Sequence, residues 1–284
     1  MIPKDVINWL TDNNYGIVSS SHPVGGGCIN NGAILHTSSG ERFFLKTNRR
    51  TPKDMFAREA EGLDAIRVSG GPTVPRTYLY SPDFLLLENL APSKRRGDYW
   101  ENFGRQLGTL HNQTNSHYGF QYDNYIGSTP QPNAWTEDGC FFFAERRLLF
   151  QAQLAQERGL LDGSYVARTE ALAARLQALI PAQPASLIHG DLWSGNAMSD
   201  SQGNPALIDP AAHYGWAEAE LAMTTLFGSF PRSFYDAYQE VRSLAPGYEE
   251  RYPIYNLYHL LNHLNLFGSG YLSQVRAVLN RYGT

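Results

Sequence analysis

The chain of 284 residues sets 23 Lys and Arg against 27 Asp and Glu, a formal net charge of −4, and 42% of its residues are hydrophobic. This excludes the basic footprint of a nucleic-acid binder and the composition of a disordered chain, and the length suggests roughly two domains around a sizeable core. No apolar run is long enough to cross a bilayer, the opening Met1-Ile2-Pro3-Lys4-Asp5 lacks a secretory apolar segment, and the two cysteines, Cys28 and Cys140, make no disulfide or metal framework, so the expectation is a cytoplasmic protein without nucleic-acid or membrane partners.

In chain order, residues 3–10 predict a short helix and 17–21 a strand running into Gly25-Gly26-Gly27-Cys28-Ile29-Asn30-Asn31-Gly32. Strand-like residues return at 33–36 and, after a Ser38-Ser39-Gly40 turn, at 42–46. Glycines between two strands let backbone N–H groups approach phosphate oxygens with no Cβ in the way, which makes Gly25, Gly26 and Gly27 candidate nucleotide contacts. The third glycine of the kinase pattern is absent; Asn30 stands there. Lys46 ends the third strand, where the kinase template places a lysine that contacts the α/β-phosphates. Thr51 and Pro52 read as N-cap and first-turn residue of a helix with Met55, Phe56, Leu63 and Ile66 on its apolar face, closed by Gly70-Gly71. Glu59 on that helix can reach back to Lys46 as the ion pair that positions the lysine.

Residues 74–80 and 84–87 predict two further strands, which complete a five-stranded sheet. The last runs into Glu88-Asn89-Leu90-Ala91-Pro92, a candidate hinge where the backbone of Glu88 and Leu90 meets an adenine edge. A helix over 99–112 follows, then an irregular stretch over 114–138, helices over 141–158 and 164–179, and a break at Pro181 and Pro184.

The next stretch carries the chemistry. A short apolar run ends in His189-Gly190-Asp191-Leu192-Trp193-Ser194-Gly195-Asn196, and after a turn a second apolar run ends in Asp209-Pro210-Ala211. Asp191 and Asn196 have the D-x-x-x-x-N spacing of a kinase catalytic loop, and Asp209 sits where that template holds its metal-chelating Asp. Phosphoryl transfer needs a carboxylate to take the hydroxyl proton and oxygen ligands for Mg²⁺; Asp191 is the candidate base, Asn196 and Asp209 the candidate metal ligands, with ATP and Mg²⁺ as cofactors. From Asp209 onward the pattern predicts helices over 218–227, 232–241, 252–267 and 272–282. The whole reads as an α+β, bilobal protein-kinase-like fold. A small five-stranded antiparallel N-terminal lobe with one main helix covers 1–90, and a larger, mainly helical catalytic and acceptor-binding lobe covers 91–284. Gly190 in place of an arginine, and Pro-Ala in place of Phe-Gly after Asp209, leave no anchor for a phosphorylated activation loop and favour a small-molecule kinase.

The runs His-Gly-Asp-Leu-Trp-Ser-Gly-Asn, Ile-Asp-Pro-Ala, Tyr-Gly-Trp-Ala-Glu-Ala-Glu-Leu-Ala-Met and Leu-Asn-His-Leu-Asn-Leu-Phe-Gly, with Gly-Gly-Cys-Ile-Asn and Phe-Leu-Lys-Thr-Asn near the start, resemble the fructosamine kinase (ketosamine-3-kinase) family, within the aminoglycoside-phosphotransferase-like kinases. The resemblance covers nearly the whole chain. It implies ATP-dependent phosphorylation of the 3-hydroxyl of a ketosamine on a small amine or a protein lysine, an unstable product, and hence a deglycation repair role. It further implies Trp193 against the sugar, with Trp216, Glu218, Glu220 and His263 lining the acceptor pocket. Aminoglycoside, choline or homoserine phosphorylation is the nearest alternative; a catalytically silent nucleotide-binding module and a binuclear metallophosphatase are more remote. Cys28 in the glycine loop raises a separate expectation, a monomer with a redox-active thiol that can link two chains.

Overall fold

The computed structural model describes residues 2–25 and 30–284. After helix α1 (Lys4–Asp12), strands β1 (Val18–Val24), β2 (Asn31–Thr37) and β3 (Arg42–Thr47) form a meander, helix α2 (Met55–Ala65) crosses, and β4 (Thr77–Ser81) and β5 (Phe84–Glu88) complete an antiparallel sheet in the order β1-β2-β3-β5-β4. The period of two along β3 and β5 assigns the faces. Phe43, Leu45 and Leu86 join Val6 and Leu10 of α1 in one buried cluster, whereas Leu85 and Leu87 belong with Phe56 and Leu63 of α2 in another. Lys46, one residue past Leu45, points to the α2 side.

Helix α2 departs from its expected ends. The Met55 N–H donates to Pro52 O at 3.1 Å, so 52–55 closes as a turn and the helix starts after Asp54, not at Thr51. The Thr51 hydroxyl caps nothing. The helix stops at Ala65, and Gly70, with φ +77°, serves a later turn. Residues 73–76 do not continue β4, because Thr73 pairs instead with the second half of the chain, donating to Pro205 O and accepting from Leu207 N–H. The other end of α2 is clasped by that half. Tyr125 donates to Asp54 Oδ1 at 2.7 Å, the Arg58 guanidinium lies 4.1 Å over the Tyr122 ring, and a Cβ on Gly62 would stand 3.2 Å from Pro210.

The body comprises α3 (Tyr99–His111), β6 (Thr114–Asn115), the β7 (Asn124–Ile126) and β8 (Thr129–Gln131) hairpin, α4 (Gly139–Phe143), a π-helical segment (Ala144–Leu149), α5 (Phe150–Glu157), α6 (Gly163–Leu179), β9 (Ala185–Ile188), β10 (Ala197–Ser199), β11 (Pro205–Leu207), β12 (His213–Gly215), α7 (Ala217–Met223), α8 (Arg232–Val241), α9 (Tyr248–Phe267) and α10 (Leu272–Tyr282). The stretch 114–138 therefore contains a hairpin where an irregular segment was expected. The two apolar runs around the catalytic loop belong to different sheets, since β9 lies between β12 and β6 while β11 pairs with β10. Strand β12, read in sequence as part of a helical region, is too short to show a period. Helix α9 begins at Tyr248 and keeps Pro253 inside it; Gly247 at φ +73° starts the helix, and Glu249 and Glu250 suit its N-terminal dipole. Helices α3 and α8 touch closely, for a Cβ on Gly104 would fall 2.1 Å from Phe234 O.

Candidate functional site

All four residues of β9 are buried, and the strand delivers His189-Gly190-Asp191 at its end. Gly190 has φ +83°, and a Cβ there would lie 2.2 Å from Ala211 O, so both the backbone conformation and the space require glycine. The His189 ring fixes the turn. Its Nε2 donates to Ile208 O at 2.8 Å, its Nδ1 accepts the Asp191 N–H at 3.2 Å, and its carbonyl accepts the Ala211 N–H at 2.9 Å. One donor and one acceptor define a neutral imidazole, and burial lowers its pKa accordingly. No sequence period marks this histidine as a site residue; its place directly before Gly-Asp is the only signal.

Asn196 Nδ2 donates to Asp191 O at 2.8 Å and to Asp191 Oδ2 at 3.1 Å, tying loop start to loop end. Asp209 adopts the left-handed conformation at φ +57°, and its carboxylate accepts from Lys46 Nζ. Lys46 also donates to Glu59 Oε1 at 2.5 Å. Burial works against the Lys46 charge, but Asp209 and Glu59 overcome it and hold its pKa above the usual value. Burial pushes Glu59 up, assisted by Asp209 and opposed by Lys46. Burial, then Asp209 and Glu220, push the Asp191 carboxyl up to about 8, with the Asn196 hydrogen bond opposing. The structure thus brings together Lys46, Glu59, Asp191, Asn196 and Asp209 from β3, α2 and two loops.

The donor set fits a hard divalent cation. Asn196 commits its amide nitrogen to Asp191, which leaves its carbonyl oxygen as the free end, and the Asp209 side chain is 44% exposed. No group of three or more His, Cys, Asp or Glu that could cage a metal occurs among the described residues. Mg²⁺ asks for no such cage, because it binds through one or two protein oxygens and completes its shell with phosphate and water.

At the expected hinge, the Glu88 N–H is taken by Arg76 O at 2.8 Å, and Asn89 Oδ1 accepts from Ala91 N, holding Ala91 at φ +46°. The Leu90 N–H has no partner among the described residues. Gly25 ends the described part of the glycine loop, with nothing within 4 Å of a notional Cβ. Gly26, Gly27 and Cys28 lie outside the described residues.

The acceptor assignments divide. Trp193 is half-buried beside the catalytic loop, with its ring against Gly195, where a Cβ would fall 2.3 Å from Cζ2. The Phe227 ring meets Trp193 at 6.1 Å and His263 at 4.5 Å, and Tyr271 and Phe267 continue from His263 at 5.1 and 5.3 Å, giving an aromatic wall. His263 Nδ1 donates to His259 O at 2.8 Å; burial lowers its pKa, so Nε2 remains an acceptor. Phe227 and Tyr271 were missed in sequence because isolated aromatics on helices and turns read as core. Trp216, by contrast, is 5% exposed among Tyr118, Phe143 and Tyr255, a core ring. Glu218 does not line an acceptor pocket either: it is buried in a bidentate pair with Arg251 at 2.7 and 2.8 Å and accepts from Tyr255 Oη at 2.9 Å. Glu220 is likewise turned inward; its oxygens accept from His189 N–H at 3.0 Å, Gly190 N–H at 2.6 Å and His111 Nε2 at 2.8 Å. Polar residues of one short helix gave no sign in sequence of which way they face.

A family model described as fructosamine kinase matches residues 3–283. A probable ketoamine kinase of Synechocystis sp. is 40% identical over 270 residues, 93% of this chain and 90% of that protein. A chloroplastic protein-ribulosamine 3-kinase of Oryza sativa subsp. indica is 39% identical over 282 residues, 96% and 81% of the two chains. The crystal structure of a candidate fructosamine-3-kinase from Thermobifida fusca superposes with a TM-score of 0.89 at 31% identity, covering 99% of each chain.

Proposed function

The chain belongs to the fructosamine kinase family and is a kinase acting on ketosamine hydroxyls; from that premise we propose that it uses ATP and Mg²⁺ to phosphorylate the 3-hydroxyl of a ketosamine carried by a small amine or a protein lysine, with Asp191 as the base. The observation that carries this reading is the Asp191 carboxyl locked to Asn196, beside an Asp209 that is bridged through Lys46 to Glu59. Residues 1–90 act as the nucleotide lobe and 91–284 as the catalytic and acceptor lobe.

Asp209 and the Asn196 carbonyl would hold the metal, whose chemistry when bound is neutralisation of phosphate charge. The chain's own groups do the rest. The Leu90 N–H and the Glu88 carbonyl meet the adenine edge, Gly25, Gly26 and Gly27 approach the phosphates, and Lys46 contacts the α/β-phosphates while Glu59 holds it in place. Trp193 supports the sugar, and His263 Nε2 accepts a hydrogen bond from the acceptor. Asp191 takes the O3 proton as the O3–Pγ bond forms and the bond from Pγ to the β-phosphate oxygen breaks, releasing ADP. The phosphorylated adduct is unstable and frees the amine, which makes the activity a repair of glycated amines. On this proposal the protein is a monomer acting in the cytoplasm; among the described residues no helix is long and apolar enough to cross a membrane.

The test is ATP consumption with fructosyl-lysine, ribulosyl-lysine, an aminoglycoside and choline as acceptors. Turnover with the two ketosamines alone is expected. Turnover confined to choline or the aminoglycoside overturns the acceptor, and none with any of the four overturns the reaction.

A further inference from the structure

Arg147 is 1% exposed, and among the described residues no Asp or Glu pairs with it; Asp123 acts on it only from beyond ion-pair distance. It stands in the π-helical segment, a rare turn that redirects side chains and recurs at functional sites. Its Nη1 donates to Pro132 O at 2.6 Å and Arg146 O at 3.0 Å, and its Nη2 to Asn133 Oδ1 at 2.7 Å. The guanidinium lies 4.5 Å from the Phe142 ring and 5.6 Å from that of Tyr258. All these partners are neutral, and Nε–H has none among the described residues. A buried charge without a countercharge costs several kcal/mol.

A cavity of about 20 Å³ adjoins this group, with Gly190, His213, Tyr258 and His259 also on its wall. His213 Nδ1 donates to Ala211 O at 3.0 Å, and burial, then Arg147, keep this ring uncharged. Burial, then His263 and Arg147, lower His259 to about 3, and its buried Nδ1 has no partner among the described residues. The one carboxylate on the wall, Glu220, commits its oxygens to the His189 and Gly190 N–H groups and to His111 Nε2. A guanidinium and two imidazoles thus share one small cavity, and two of their nitrogens lack an acceptor.

We propose that this cavity, between the catalytic turn at Gly190 and α9, binds a single halide ion that accepts from Arg147 Nε–H and His259 Nδ1–H. The space admits one water-sized particle and is too small for phosphate or a carboxylate. A water there would take the two N–H groups but leave the guanidinium charge as it stands, whereas a halide takes them and neutralises it. The ion selects the His259 tautomer that carries its hydrogen on Nδ1. It also lies next to the helix turn in which His259 O holds the His263 ring. The proposal is independent of which acceptor the enzyme phosphorylates.

Crystals of the full chain soaked in sodium bromide and measured at the bromine absorption edge read the site directly. An anomalous peak is expected in the cavity, within hydrogen-bonding reach of Arg147 Nε. In solution, an ion that binds only the folded chain stabilises it by mass action. Raising chloride from about 5 to about 200 mM, with gluconate holding ionic strength constant, should lift the wild-type Tm by about 2–4 °C. Arg147→Met and His259→Leu should lose that rise, and comparison with them cancels the general effect of the salt. If Arg147→Met does not fold, His259→Leu and the bromide measurement decide. A water in the cavity with no anomalous peak overturns the site. So does a chloride response of equal size in the wild type and in the folded variants.

Discussion

His189 joins the backbone before Asp209 to that of Asp191 through one imidazole, which donates from Nε2 to Ile208 O at 2.8 Å and accepts at Nδ1 from the Asp191 N–H at 3.2 Å. The proposed base and the candidate metal ligand are thereby kept in register by a residue outside the proposed reaction. His189→Phe keeps ring volume and removes both bonds. It should lower kcat/KM by about 10- to 100-fold and, by leaving a buried carbonyl and N–H unpaired, destabilise by about 1–3 kcal/mol. Steady-state kinetics and thermal melts check both parts; wild-type values in either would show that the bridge is dispensable.

Removing a positioned base costs about 10²- to 10⁴-fold in rate. Asp191→Asn should lose kcat on that scale and leave binding of the nucleotide nearly unchanged. Asp209→Ala should weaken Mg²⁺-nucleotide binding as well, since it removes a candidate ligand and one of the two carboxylates that hold Lys46. Titration with a fluorescent ATP analogue separates the two cases. Equal nucleotide affinity in both variants would refute the division of roles.

The Asp191 carboxyl is raised from 3.8 to about 8 by burial and by Asp209, so in the metal-free protein it holds its proton more tightly folded than unfolded. The stability this contributes is fully present below pH 3.8 and is lost as pH rises through about 8. Melting temperatures in EDTA should therefore decline from pH 5 to 9 more steeply in the wild type than in Asp191→Asn, whose amide does not titrate. Parallel profiles would show that the raised value is wrong.

Gly195→Ala places a Cβ 2.3 Å from Trp193 Cζ2 and must swing the indole off the loop. The acceptor KM should rise several-fold with the ATP KM unchanged, and Trp193→Ala should give the same pattern. An acceptor KM that stays at the wild-type value in both would remove Trp193 from the acceptor site.

Much of this was legible in sequence because short-range spacing carries it. Asp191 and Asn196 are separated by one loop, and the alternation along β3 puts Lys46 on the α2 face. Direction of a side chain was not legible where only tertiary contact decides it. Glu218 and Glu220 look alike on α7, yet one is held by Arg251 and the other grips the catalytic loop. Likewise Thr51 has the chemistry of an N-cap, but the turn closed by Pro52 and Met55 moves the helix start beyond its reach. Strand β12 consists of three residues that make sense only as partners of β9 and, at Tyr214, of Gly119.

The clasp on α2, from Asp54 to Tyr125, Arg58 to Tyr122 and Gly62 to Pro210, bears on how the cleft must breathe. With the helix moored to the larger half, Glu59 and Asp209 stand in one frame, and Lys46 is the point at which β3 holds to both across the cleft.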